Sequence, residues 1–405
     1  MTRCAQCGST FDAFVSFGPM PLANGFLSED AFSSERYCDL GAGFCPHCTL
    51  VQLMDPLPPA SMFHDVYPFF TSSSAHMKAH FRRLAQGIIR ELYGNQDAFV
   101  VEIGSNDGTM LQPIAGSGIR HLGVEPSRNV AEAARANGVD TLSRFFDAQV
   151  SRDIVNLHGQ ADVVLASNCF CHIPDLHSLG DGIRSLLKPS GKLIFEDPYL
   201  GDIVRLTAYD QIYDEHVYYF SLSAVTAWLG RHGLDVIDAQ PQAVHGGSMR
   251  YTAAHRKMHN MHPRVDSLRL QEKLGGLANP ETFGHFRHRI ERSRDALVEL
   301  LTSLRRDGRR VAGYGATSKS TTVLNYCRIN TGLIEFITDT TPLKQGKFTP
   351  GAHVPVRPHS DFHADYPDFA LLFAWNHEAE ILAKEDRFRD SGGKWIKYVP
   401  RVSIV

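Results

Sequence analysis

The chain has 405 residues, 43% of them hydrophobic and 21% charged, with 41 Lys+Arg against 44 Asp+Glu and a net charge of −3. That is the composition of a folded protein of two or three domains, and it excludes disordered, collagen-like and low-complexity chains. The balanced charge, with no long Lys/Arg run, argues against a nucleic-acid partner, whose phosphates call for a clustered basic face.

No apolar run approaches the ~18 residues that span a bilayer. Met1-Thr2-Arg3-Cys4 has no apolar stretch of the kind a signal peptide carries. We therefore expect no membrane partner and a cytoplasmic location, where thiols stay reduced. The eight cysteines then need a role other than disulfides.

Cys4-Ala5-Gln6-Cys7 and Cys45-Pro46-His47-Cys48 are two CxxC pairs. Thiolates two residues apart can point into one tight turn, so each pair supplies half of a tetrahedral site. Gly8 relieves the first turn. Structural Zn²⁺ on Cys4, Cys7, Cys45 and Cys48 is the expectation; redox-active or separately buried thiols are the alternatives. Four sulfurs close the coordination sphere, so this metal is not expected to be catalytic. Cys38 is a possible substitute ligand, and His47 is expected to be exposed.

Ala98–Gly104 reads as a buried strand, followed by the loop Ser105-Asn106-Asp107-Gly108 and a helix from Thr109. A strand, glycine loop and helix in succession let a backbone approach a ligand closely. The loop is neither GxGxxG nor a P-loop. A second strand, His121–Val124, ends at Glu125, where a carboxylate can accept hydrogen bonds from both ribose hydroxyls. Further strands are expected at Ala161–Ala166, ending at Ser167-Asn168, and at Lys192–Glu196 after the turn Lys188–Gly191. The alternation indicates a doubly wound α/β sheet. Glu102-Ile103-Gly104-Ser105-Asn106-Asp107-Gly108 with Glu125 resembles the S-adenosylmethionine site of class I methyltransferases. That resemblance implies Gly104 against the methionine moiety, Glu125 on the ribose, Asn168 facing the cofactor and Asn106 within hydrogen-bonding reach.

The densest polar–aromatic stretch is Tyr209–Ser221, with Tyr213, Glu215 and His216 inside four residues. In a helix adjacent residues diverge by about 100°, so the three cannot meet one point unless the helix ends there. Leu234–Ala239 and Met249–Ala254 read as strands closing the sheet, with His245-Gly246-Gly247-Ser248 between them. The two glycines permit either close approach to a ligand or an ordinary hairpin. Next come a charged, helix-prone stretch from Phe286 to Arg306 and a second strand–glycine loop–helix, Arg310–Lys319. Its helix N-terminus with Lys319 is expected to make a pyrophosphate site, with the loop Lys344–Gly351, including Lys347, adding cationic groups; a dimerisation or scaffold domain is the alternative. Strands are expected at Ile334–Asp339 and Phe369–Asn376.

Taken in order along nearly the whole chain, these features resemble the nucleotide-sugar C-methyltransferases of branched deoxysugar pathways. The resemblance implies an α/β protein with a class I methyltransferase (Rossmann-like) core, flanked by an N-terminal zinc-binding module and a C-terminal Rossmann-like domain. The corresponding boundaries are 1–75, 76–257 and 258–405. It implies S-adenosylmethionine as methyl donor and a thymidine-diphosphate 4-keto-deoxysugar as substrate, methylated at C3. His216 would be the general base, and Tyr67 would match the tyrosine of the segment joining zinc module and core. Tyr213 and Tyr67 would stabilise the enolate, and Glu215 would orient the base or hold a sugar hydroxyl. His245 and Ser248 would lie on the sugar side. A monomer suffices for this reading. The competing expectations are an O- or N-methyltransferase on a nucleotide sugar, a zinc-ribbon methyltransferase on nucleic acid, and a dehydrogenase using the Gly313–Lys319 loop. The acidic Glu29, Asp30, Glu35 and Asp39 weigh against the second of these, and a missing third glycine against the third.

Overall fold

The strand Phe99–Ile103 is buried along its whole length, as a strand covered on both sheet faces must be. In the computed structural model, which describes residues 2–65 and 67–405, it sits near the middle of a seven-stranded sheet. Reading across, the sheet runs Leu234–Gln242, Ser248–His255, Leu187–Pro198, Ala161–Ser167, Phe99–Ile103, Arg120–Val124, Thr141–Leu142. The last five are mutually parallel. Ser248–His255 and Leu234–Gln242 close the other end antiparallel, as expected. The chain order reverses between Phe99–Ile103 and Ala161–Ser167, which opens a crevice at their carboxyl ends. Two local expectations change. The helix after the glycine loop begins at Gln112, not Thr109. Lys188–Gly191 forms an irregularity within Leu187–Pro198 instead of a turn before it.

The N-terminal module is an antiparallel sheet of Ala13–Pro21, Tyr37–Phe44 and Val51–Leu53. Its fourth strand, Tyr218–Tyr219, comes from the segment after His216. Module and core thus share one sheet, which fixes the polar segment 209–217 between them.

The C-terminal region holds a third layered unit. Val356–Arg357, Ile337–Thr338, Val311–Tyr314, Phe369–Leu372 and Lys394–Lys397 are parallel, and Ser403–Ile404 is antiparallel at the edge. The expected strands at Ile334–Asp339 and Phe369–Asn376 are shorter than their apolar runs. The charged stretch is the helix Pro280–Arg306, capped by the Asn279 side chain on the Glu281 N–H at 3.0 Å. Its Phe283 stacks on Phe44 of the N-terminal module, ring centroids 4.4 Å apart. Among the described residues no helix is long and apolar enough to cross a membrane.

Candidate active site and zinc site

Each CxxC pair closes a tight turn. The Gly8 N–H reaches Cys4 O at 2.8 Å and the Thr49 N–H reaches Cys45 O at 2.8 Å. Gly8 takes φ 75° in the first turn, and Thr49 takes φ 62° at the matching place in the second. The turns bring Cys4 Sγ to 3.4 Å from Cys48 Sγ and Cys7 Sγ to 3.5 Å from Cys45 Sγ. All four sulfurs lie within 4.8 Å of one another. A tetrahedral ion with bonds of ~2.3 Å to sulfur needs edges of ~3.8 Å, so the donor set fits Zn²⁺. Cys38 stands apart, its thiol directed at Met20 O, and His47 is exposed as expected.

A cavity of about 510 Å³ opens at the carboxyl ends of the central strands. Gly104, Asn106, Glu125 and Asn168 all line it, as do Tyr67 and His245. Gly104 has φ 70°, and a Cβ there would collide with the Cys169 side chain, so only glycine fits. Glu125 accepts the Asn106 N–H at 3.0 Å and the Ser127 N–H at 2.8 Å. Burial still raises its pKa, against the pull of those two donors. Asn168 Oδ1 and Ser167 Oγ are buried without a protein partner among the described residues. Buried polar atoms call for partners, and an adenosyl amino acid offers them. Asn106 plays a further part: its Oδ1 accepts the Thr71 N–H at 2.8 Å and its amide donates to Phe69 O at 3.2 Å. This ties the segment after Tyr67 over the glycine loop. Asn129 holds Tyr67 by both backbone groups, at 3.1 and 2.9 Å.

Segment 212–217 is irregular, not helical, and that is how its side chains separate. A turn closed by His216 N–H on Tyr213 O places the two rings 4.1 Å apart. His216 Nδ1 lies 3.0 Å from Gln211 O, so this nitrogen carries the proton. Nε2 is left as an acceptor for the Tyr213 hydroxyl at 2.6 Å. Burial, then His172, drives the His216 pKa well below its usual value, keeping the imidazole neutral. Burial drives the Tyr213 phenol well upward, keeping it a donor. Glu215 turns the other way and accepts the Asn24 amide at 2.6 Å. Burial and then the neighbouring Asp214 raise its pKa to about 8, opposed by Asn24, Lys344 and Tyr67.

Two residues not singled out in the sequence, His172 and Asn24, join this centre, together with Lys344 of the cationic loop. His172 lines the cavity. It hydrogen-bonds Glu215 O through Nδ1 at 2.6 Å, with its ring 5.1 Å from that of His216. Asn24 reaches in from the N-terminal module. Lys344 brings its ammonium to Ala316 O at 2.6 Å, within electrostatic reach of Glu215. Lys347, three residues on, is exposed, because its loop turns its side chain outward after Lys344. Ser248 is buried in its strand, its hydroxyl directed to Val244 O at 3.2 Å, so the strand register keeps it from the cavity lining. His245 does line the cavity, with Nε2 buried and without a partner among the described residues, and a pKa lowered to about 3 by burial. The glycines after it serve packing: a Cβ on Gly246 would strike Trp375 and one on Gly247 would strike Asp202. Lys319 does not project freely from its helix N-terminus. Its ammonium sits 3.3 Å from Asn376 Oδ1 and 5.1 Å from the Trp375 ring centroid, where Asp210 attracts it. Asp210, fully buried, accepts the Trp375 indole N–H at 2.6 Å and the Tyr398 hydroxyl at 2.7 Å.

Comparison with known proteins places the chain in a family. The "Putative zinc binding domain" profile matches residues 4–63, the "Methyltransferase domain" profile residues 76–239, and the "C-methyltransferase C-terminal domain" profile residues 243–400. C-methyltransferase NovU of Streptomyces niveus is 35% identical over 406 aligned residues, which cover 100% of this chain and 96% of that protein. Among solved structures, a SAM-dependent methyltransferase of Anabaena variabilis aligns over 44% of this chain and 86% of its own, at 16% identity and TM-score 0.36. Magnesium protoporphyrin IX methyltransferase of Synechocystis aligns over 44% and 79%, at 13% identity and TM-score 0.33. The full-length match to NovU and the three profiles in succession show that the chain belongs to the S-adenosylmethionine-dependent C-methyltransferases with an N-terminal zinc-binding domain.

Proposed function

We propose that this C-methyltransferase acts at C3 of a nucleotide-diphosphate 4-keto-deoxysugar, the thymidine diphosphate being the first candidate. The observation that carries this reading is the neutral His216–Tyr213 pair. It joins a proton acceptor to a phenol that stays protonated, beside the cofactor cavity. A C3 proton is acidic only because the C4 ketone can take the charge as an enolate. In the free protein Tyr213 donates to His216. A substrate ketone that takes over that hydrogen bond frees Nε2 to accept the C3 proton. The C–H electron pair moves into the C3–C4 bond, and the charge on O4 is held by the Tyr213 and Tyr67 hydroxyls. S-adenosylmethionine supplies an activated methyl group when bound. C3 would take that methyl from the donor's sulfonium, leaving a neutral thioether, and the ketone would re-form with the proton held on His216. No catalytic metal is required. In this reading Gly104, Asn106, Glu125 and Asn168 form the cofactor side. His245 forms the sugar side, and Lys319 and Lys344 attract the diphosphate.

We keep the domain limits expected from the sequence, 1–75, 76–257 and 258–405, and a cytoplasmic location, as parts of this proposal. The test is incubation with S-adenosylmethionine and thymidine-diphosphate 4-keto-deoxysugars, followed by mass and carbon-resolved NMR of the product. A new methyl on C3 is expected. A methyl on oxygen or nitrogen would point to the rival sugar methyltransferase, which needs no enolate-stabilising group.

A further inference from the structure

Away from the cavity and the cysteine turns, the C-terminal unit carries a third cluster of ligand-type side chains. His359 and His363 stand one helical turn apart on the helix His359–Ala364. Both face the carboxylate of Glu385, which ends the helix Glu378–Lys384. His359 Nε2 is 2.7 Å from Oε1, and His363 Nε2 is 2.8 Å from Oε2. One ligand atom from each residue lies within 4.8 Å of the other two. Surface carboxylates near histidines are common and mean little. This carboxylate is 1% exposed, while the His363 side chain is 46% exposed and leaves the cluster open to solvent on one side.

We propose that His359, His363 and Glu385 form a second metal site, for a borderline divalent ion such as Zn²⁺. Two imidazoles and one carboxylate with a water in the fourth position is an established tetrahedral zinc set. Imidazole donors select such ions over Mg²⁺ or Ca²⁺. The surroundings have the outer partners that orient metal ligands. The Tyr314 hydroxyl donates to Glu385 Oε1 at 2.9 Å, and Thr338 Oγ1 stands 3.4 Å from His359 Nδ1. Coordination through Nε2 moves each ring proton to Nδ1. On His359 that proton then meets the Thr338 hydroxyl. The ion would tie the helix His359–Ala364 to the end of Glu378–Lys384, with Tyr314 and Thr338 anchoring the clamp to two neighbouring strands. Its role is cross-linking, separate from methyl transfer.

The test uses the full-length protein carrying its cysteine-bound zinc. Calorimetric titration with Zn²⁺ should show one further equivalent per chain. Because even an outer-shell partner is worth about 10–100-fold in affinity, losing a ligand in His363→Ala should weaken that equivalent by at least roughly 100-fold. Glu385→Gln should weaken it too. His363→Asn keeps a polar side chain beside the buried Glu385 carboxylate, so it provides a second variant where His363→Ala loses stability. Co²⁺ loaded there should give weak visible bands without thiolate charge transfer, unlike Co²⁺ on the four cysteines. Wild type that takes up no further equivalent, or a further equivalent that persists unchanged in His363→Ala, His363→Asn and Glu385→Gln, overturns the proposal.

Discussion

Replacing His216 by Asn removes the proposed base while keeping a polar side chain of similar reach. His216 is 5% exposed and held at Nδ1 by Gln211 O and at Nε2 by the Tyr213 hydroxyl. Loss of a positioned general base costs about 10²–10⁴ in rate. Loss of one oxyanion donor, as in Tyr213→Phe, costs about 10²–10³. The two groups touch, so their effects should not add. The double variant should be faster than the product of the single losses requires. Burial pushes the His216 pKa well below its usual value, and activity requires the neutral ring. The acid limb of kcat/KM therefore lies below the ordinary imidazole range, and the profile is flat from there through neutral pH. The assay is single-turnover methyl transfer across pH, paired with Kd for donor and sugar nucleotide, which should barely move. If His216→Asn lowers Tm but leaves turnover per folded molecule intact, the assignment of the base is wrong and His172 or His245 must be examined.

Cys45→Ser should lower zinc content and destabilise the N-terminal module, read by metal analysis and thermal melting; full activity and stability in zinc-free protein would refute a structural role. Glu125→Ala should weaken S-adenosylmethionine binding by about 1.5–3 kcal/mol, the value of a hydrogen bond to a charged group, measured by calorimetry. Lys344→Ala should raise Kd for the sugar nucleotide while Lys347→Ala leaves it unchanged, since only Lys344 turns toward Glu215; the opposite order would reverse that placement.

The paired CxxC turns and the Gly104 loop with Glu125 were legible because their chemistry is local. Each needs residues a few positions apart in a defined backbone shape. Tyr213 and His216 were also visible as a pair, although their meeting depended on a break from helical geometry that no periodicity announces. What distant segments contribute is not legible in the sequence. Asn24 reaches Glu215 across 191 positions and Asn129 grips Tyr67 across 62. His172 sits in a stretch that looks like ordinary core. The choice between Lys344 and Lys347 turns on the path of one loop. Gly246 and Gly247 are compatible in sequence with either a ligand approach or a hairpin, and in the structure they make room for Trp375 and Asp202. The strand Tyr218–Tyr219 is too short to recognise, and it is what stitches segment 209–217 to the zinc module.

Hydrogen exchange at the reacting carbon tests the account most directly. Wild-type protein and a thymidine-diphosphate 4-keto-deoxysugar are placed in heavy water without methyl donor, and deuterium at C3 is followed by NMR. The account predicts enzyme-dependent exchange at C3 that is lost in His216→Asn with sugar-nucleotide affinity retained. Methyl transfer to C3 with no exchange in wild type under any donor condition, or exchange undiminished in His216→Asn, would contradict it.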